Sequence, residues 1–193
     1  MKWLFVGLGT ALAATAIIGG IAVVSHKRQE KDTDDIDGGV VMQVQADVPK
    51  VIESSDIVEF HAEISLTTLC DVDERKHRVY MGVYKFDAVL ENGEVLIKCD
   101  WHDHQGRGGK AEYKADPDFM GRLQKIVAAH NFAKHNGYYY KVSGLPDMYG
   151  ELIDITYASG ECIYAYNNQS LFLPYEANEE LILLFGAEIK LEN

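Results

Sequence analysis

Basic residues are scarce in this chain. Eighteen Lys and Arg stand against thirty Asp and Glu, for a formal net charge of −12. A surface of that sign repels phosphate backbones, which argues against nucleic acid as a partner. Cysteine is scarcer still: three residues, an odd number without paired spacing, form neither a disulfide framework nor a zinc motif and agree with a reducing compartment. Several motifs are also missing. The segment Gln105-Gly106-Arg107-Gly108-Gly109-Lys110 lacks the GxxxxGK[ST] pattern of a phosphate loop and does not open into a helix. An EF-hand anchored on Asp37-Gly38 would need ligands at Thr33 and Val44, where neither residue type serves. No cysteine adjoins the N-terminal apolar run, so a lipoprotein thioether anchor is excluded.

That run is the strongest positive signal. Trp3 to Val24 are 22 residues without a charge. As a helix rising about 1.5 Å per residue, they match a hydrocarbon core of about 30 Å. A cleaved signal peptide is the competing interpretation, but its small-x-small site, Ala11-Leu12-Ala13, comes with apolar residues still to follow. The expectation is an uncleaved single-pass anchor over residues 1–25 that places the protein in the cell membrane. Lys27, Arg28 and Lys31 outnumber Lys2, which leans the remainder toward the cytoplasm. Gly7, Ala11, Thr15 and Gly19 recur every fourth residue, a stripe through which two such helices could approach as a homodimer. Residues 26–50 are acidic and turn-rich and are expected to be a flexible linker. Residues 51–193 carry 13 basic and 24 acidic side chains, so the acidity belongs to the folded part.

Within that part, Val58, Phe60, Ala62, Ile64 and Leu66 alternate with Glu59, His61, Glu63 and Ser65, the period of a strand with one buried face, and His61 falls on the side facing water. Asn92-Gly93 is a hairpin turn between His77–Leu90 and Val95–Trp101. It sets Lys85 opposite Asp100, Asp87 opposite Lys98, Phe86 opposite Cys99 and Tyr84 opposite Trp101. Asp116-Pro117 begins a helix with Phe119, Leu123, Ile126, Val127 and His130 on its apolar stripe, ended by Asn136-Gly137. A second hairpin around Ser159-Gly160 is expected to put Ile153, Ile155, Tyr157, Cys162, Tyr164 and Tyr166 on one face. Pro174 and Glu176 then lead into a helix using Leu181, Leu184 and Phe185. The order βββ-α-βββ-α predicts an α+β domain, an antiparallel sheet with its helices packed on one side, preceded by the membrane helix.

The last third, with Asn136-Gly137-Tyr138, Gly144-Leu145-Pro146, Tyr157-Ala158-Ser159-Gly160-Glu161, Asn167-Asn168 and Leu173-Pro174, resembles a group of uncharacterised membrane-anchored or exported domains of Gram-positive gut bacteria. It departs from them where they more often carry Ser-Gly-Ser-Asn before the proline. The resemblance implies a fold and a bacterial source and no activity.

Three sets of residues could carry function. Eight of the eleven tyrosines lie between Tyr138 and Tyr175, beside a polar run at residues 167–170. Tyrosine is amphipathic and enriched in recognition surfaces, so Tyr138, Tyr140, Tyr149, Asn167, Asn168 and Gln169 are the candidate binding residues of a non-catalytic module for an unidentified protein or ligand. Alternation puts Tyr138 and Tyr140 on one face and Tyr139 on the other. Asp100, His102 and His104 share one face of an extended strand and would serve a metal-dependent hydrolase, although Lys85 opposite Asp100 disfavours a cation. A third possibility is a structural envelope protein that self-associates through the membrane stripe. Cys70 near His77 is a weak nucleophile candidate, because the neighbouring acids raise a thiol pKa, while Cys99 and Cys162 are expected in the core. No cofactor is called for.

Overall fold

Two consecutive residues with positive φ, Asn92 (52°) and Gly93 (81°), reverse the chain between Val83–Glu91 and Glu94–His102. In the computed structural model, which describes residues 39–66, 79, 81–103, 107–116, 118–145 and 149–187, these strands pair in the expected register. Lys85 faces Asp100, Asp87 faces Lys98, Phe86 faces Cys99 and Tyr84 faces Trp101. The turn chemistry and the alternation specify the same pairing, and a slip of one residue would turn every apolar side chain outward.

Numbered along the chain, the strands are β1 (Val40–Val44), β2 (Ile57–Ser65), β3 (Val83–Glu91), β4 (Glu94–His102), β5 (Gly108–Ala115), β6 (Tyr138–Val142), β7 (Glu151–Tyr157) and β8 (Cys162–Asn167). The helices are α1 (Phe119–Ala129) and α2 (Tyr175–Ala187). All eight strands form one sheet in the order β1-β6-β8-β7-β2-β3-β4-β5. The α+β class therefore holds, with two corrections. The sheet is mixed, because β6 and β8 run parallel. Five strands precede α1, not three, since β1 and β5 were not expected. β1 falls within the stretch interpreted as linker. β5 begins inside the presumed loop, where Gly108 is required because a Cβ would strike the Trp101 carbonyl.

Both helices lie on one face. Phe185 of α2 stacks on Phe86 (ring centroids 4.4 Å) and Phe60 (5.7 Å) of the sheet and meets Phe119 of α1 edge-on at 5.0 Å. Phe60, Ala62, Ile64, Ile97, Ile153, Ile155 and Ile163 bury the same side of the sheet beneath them. α1 buries Phe119, Met120, Leu123 and Val127. It stops at Asn131, which takes a left-handed conformation (φ 49°). A 3-10 turn over Phe132–His135 then separates the helix end from Gly137, whose positive φ (76°) turns the chain into β6. At the start of α1, the Asp116 carboxylate accepts the Asp118 amide at 2.8 Å, an Asx turn ahead of the first helical residue.

The second hairpin differs from expectation in register. Its loop has three residues, Ala158-Ser159-Gly160, so Thr156 pairs with Cys162 and Ile155 with Ile163. The extra residue turns Ile163, Ala165 and Asn167 toward the helices and Cys162, Tyr164 and Tyr166 to the opposite face. Cys162 is consequently half-buried on that open face, not a core residue, whereas Cys99 is buried. No helix of the described residues is long and apolar enough to cross a membrane. The Trp3–Val24 segment and its small-residue stripe lie outside the described residues, as do Cys70, His77 and His104.

Candidate functional site

The face of the sheet away from the helices carries charge across β2 to β5. Lys85 meets Glu63 at 2.8 Å, Lys110 meets Asp100 at 2.7 Å, Lys114 meets Glu94 at 2.6 Å and Lys98 lies 3.9 Å from Glu112. His61 donates from Nδ1 to Asp87 at 2.7 Å, with Glu63 3.7 Å from its Nε2. The hydrogen bond to Asp87, supported by Glu63, raises the His61 pKa to about 9, so the ring is a cation at neutral pH and no general base. Asp100 is held by Lys110 and has Lys85 opposite, while His102 is exposed at the end of β4. Among the described residues, no group of three His, Cys, Asp or Glu side chains could hold a metal ion. Burial pushes the Cys99 thiol up to about 11 and the His135 ring down to about 4; at neutral pH the first is protonated and the second uncharged. An open groove of about 580 Å³ at the start of α1, lined by Asp116, Asp118, Gly121, Arg122 and Lys125, offers charges of both signs.

The predicted binding residues divide into two groups. Asn167 and Asn168 are buried, and their amides are used by the fold. Asn167 donates to the Tyr138 hydroxyl (3.1 Å) and Ser170 Oγ (2.9 Å) and accepts from the Gln169 (2.8 Å) and Ser170 (3.1 Å) amides. Asn168 bonds both the amide (2.9 Å) and the carbonyl (3.0 Å) of Val142. Gln169 donates to the Asn168 carbonyl. The Asn167 and Asn168 amides are thus taken up within the fold and not presented to solvent, while Gln169 is half-buried beside them.

The tyrosines lie closer to the surface. Tyr138, Tyr139 and Tyr140 are all half-buried, so the expected contrast with Tyr139 is absent, because both faces of β6 are partly covered. Tyr138 packs on Phe172 (5.9 Å) on the helix side and Tyr139 on Tyr166 (5.1 Å) on the open side. Tyr149, in the β6–β7 connection, is 41% exposed.

The feature the sequence analysis missed lies beside them. β1 pairs with β6 so that Val40, Met42 and Val44 stand opposite Val142, Tyr140 and Tyr138 and share their face. The helices do not extend over this end. Val40, Met42 and Val44 are 60%, 63% and 55% exposed, an apolar row backed by half-buried tyrosines. The Gln45 amide bonds the Gly137 carbonyl and the Ser143 amide bonds the Gly39 carbonyl. By antiparallel alternation, residues 39, 41, 43 and 45 therefore direct their backbone toward β6. Val40, Met42 and Val44 turn their N–H and C=O groups to the other side of β1, the edge of the sheet, where no strand of the described residues pairs with them. The signal was present in Val40-Val41-Met42-Gln43-Val44, an uncharged, β-branched run set in an acidic stretch.

Compared with known protein families, characterised proteins and solved structures, the chain shows no significant match.

Proposed function

We propose that this protein is a single-pass, membrane-anchored interaction module without catalytic activity that receives an extended polypeptide segment along β1. Trp3–Val24 is the anchor, the acidic stretch after it tethers the domain, and the basic residues following the anchor favour a cytoplasmic domain. The resemblance of the last third to domains of Gram-positive bacteria agrees with a bacterial source. The observation that carries the binding role is the free edge of β1, whose outward backbone groups belong to the same three residues that expose apolar side chains. Strand addition uses both at once: backbone hydrogen bonds supply affinity and alternate side chains supply specificity.

Replacement of Met42 by a photo-crosslinking amino acid in the full-length chain, in bacterial membranes, tests this. An adduct at position 42 and none at Glu112 of β5 is the expected result. Equal labelling at both, or none at 42, overturns it. Carbonate extraction tests the anchor separately: the full chain should stay with the membrane, and an intact soluble form lacking the first two dozen residues would mean that the segment is cleaved.

A further inference from the structure

We infer that the segment received by β1 is β1 of a second copy of this chain, paired antiparallel about a two-fold axis through Met42. The inference rests on the interaction reading above and names its partner. Three observations support it. Across such an axis Met42 faces its own copy, and Val40 faces the partner's Val44. The exposed row reads Val-Met-Val in both directions, so the apolar side chains match without a shift of register. The hydrogen-bonding parity also agrees. Val40, Met42 and Val44 are the residues whose N–H and C=O groups point away from β6, and in this register they become the bonded pairs of the new ladder. Any register displaced by one residue would set outward-pointing groups against inward-pointing ones.

Charge selects the same surface. Two copies with a net charge of −12 each repel over most approaches. Of the two edge strands, β5 presents Lys110, Glu112 and Lys114, whereas β1 has no charged residue.

The test is the mass of the full-length protein in detergent micelles, by light scattering coupled to size exclusion, with the melting temperature as a check on folding. The wild type should be a dimer at micromolar concentration. Met42→Lys, which sets two cations against each other at the axis, should shift it to a monomer that still unfolds cooperatively, at the melting temperature of wild type diluted below its dimerisation range. Met42→Cys should form a disulfide-linked dimer on mild oxidation, above the wild-type background from the native cysteines. Val40→Cys should not do so alone, but should when mixed with Val44→Cys. A monomeric wild type overturns the inference, and so does a dimer that survives Met42→Lys but is lost in Gly7→Leu/Gly19→Leu, which assigns association to the membrane segment. If position 42 nevertheless crosslinks to a different polypeptide, the interaction module stands and the second copy falls.

Discussion

The two ends of the sheet solve one problem differently. At the β5 end, Lys110, Glu112 and Lys114 alternate along the outermost strand, and charged pairs continue inward over β4, β3 and β2. At the β1 end, the polar groups that matter are buried. Asn136 donates to the carbonyls of Pro49 and Cys162 and accepts from the Tyr164 amide, each at 2.9 Å, and Lys50 reaches its backbone carbonyl. Glu151 accepts the amides of Phe172 and Leu173 at 2.7 Å. Exposed charges contribute little each and guard an edge against unwanted pairing. Buried hydrogen bonds hold loops in place and leave the edge they support unguarded. Polarity near β5 protects a surface, whereas polarity near β1 builds one.

If that contrast is right, substitutions at the β1 end should cost most. Asn136→Ala removes an amide that satisfies three backbone groups and should destabilise the domain by about 3 kcal/mol, measured by chemical denaturation. A loss below about 1 kcal/mol would erase the distinction between the two ends. Glu151→Ala leaves two buried amides without an acceptor and should cost about 2 kcal/mol. Burial raises the pKa of this carboxyl, so Glu151→Gln, which keeps an acceptor and removes a buried charge, should remain within about 1 kcal/mol of wild type. Equal losses in the two variants would mean that packing, not hydrogen bonding, is what Glu151 provides.

The charged half should respond more weakly. Gly93→Val has open space for its side chain but must hold a β-branched residue at a φ of 81°, and should lower stability by about 1 kcal/mol or more. An unchanged melting temperature would place the turn wrongly. The smallest effect belongs to His61. Its pKa is raised by Asp87 and Glu63 from 6.5 to about 9, so its contribution is complete below pH 6.5 and fades as pH rises through about 9. Glu63 is lowered by His61 from 4.5 to about 2, so its contribution is complete above pH 4.5 and fades as pH falls through about 2. Stability from this cluster should therefore plateau between these limits, pH 4.5 and 6.5. His61→Ala should flatten the alkaline limb by no more than a few tenths of a kcal/mol, since the ring is partly solvated. A titration of melting temperature in both proteins checks it.

The same contrast explains what could be read from the chain. The β3–β4 pairing was legible because Asn92-Gly93 and four cross-strand pairs specify one register. Around Ser159-Gly160 the turn type was visible but its length was not. One additional loop residue carried Tyr164 and Tyr166 to the other face. β1 and β5 escaped notice for a common reason: edge strands bury little, and β5 has no fully buried side chain, although Tyr113 reaches α2 through a 2.8 Å hydrogen bond to the Phe185 carbonyl. For the candidate site, composition located the tyrosines near it. It could not show that Asn167 and Asn168 are used by the turn they sit in, because hydrogen-bond partners such as Val142 are distant in sequence.

Pairing of β1 with β6 joins Val40 to Val142 and Val44 to Tyr138, so the first strand of the sheet waits for a partner made much later. At about 5–20 residues per second, synthesis of the intervening chain takes on the order of 5–20 seconds. Until β6 is made, β1 therefore has no neighbour on either side, whereas the finished sheet covers one of its two edges.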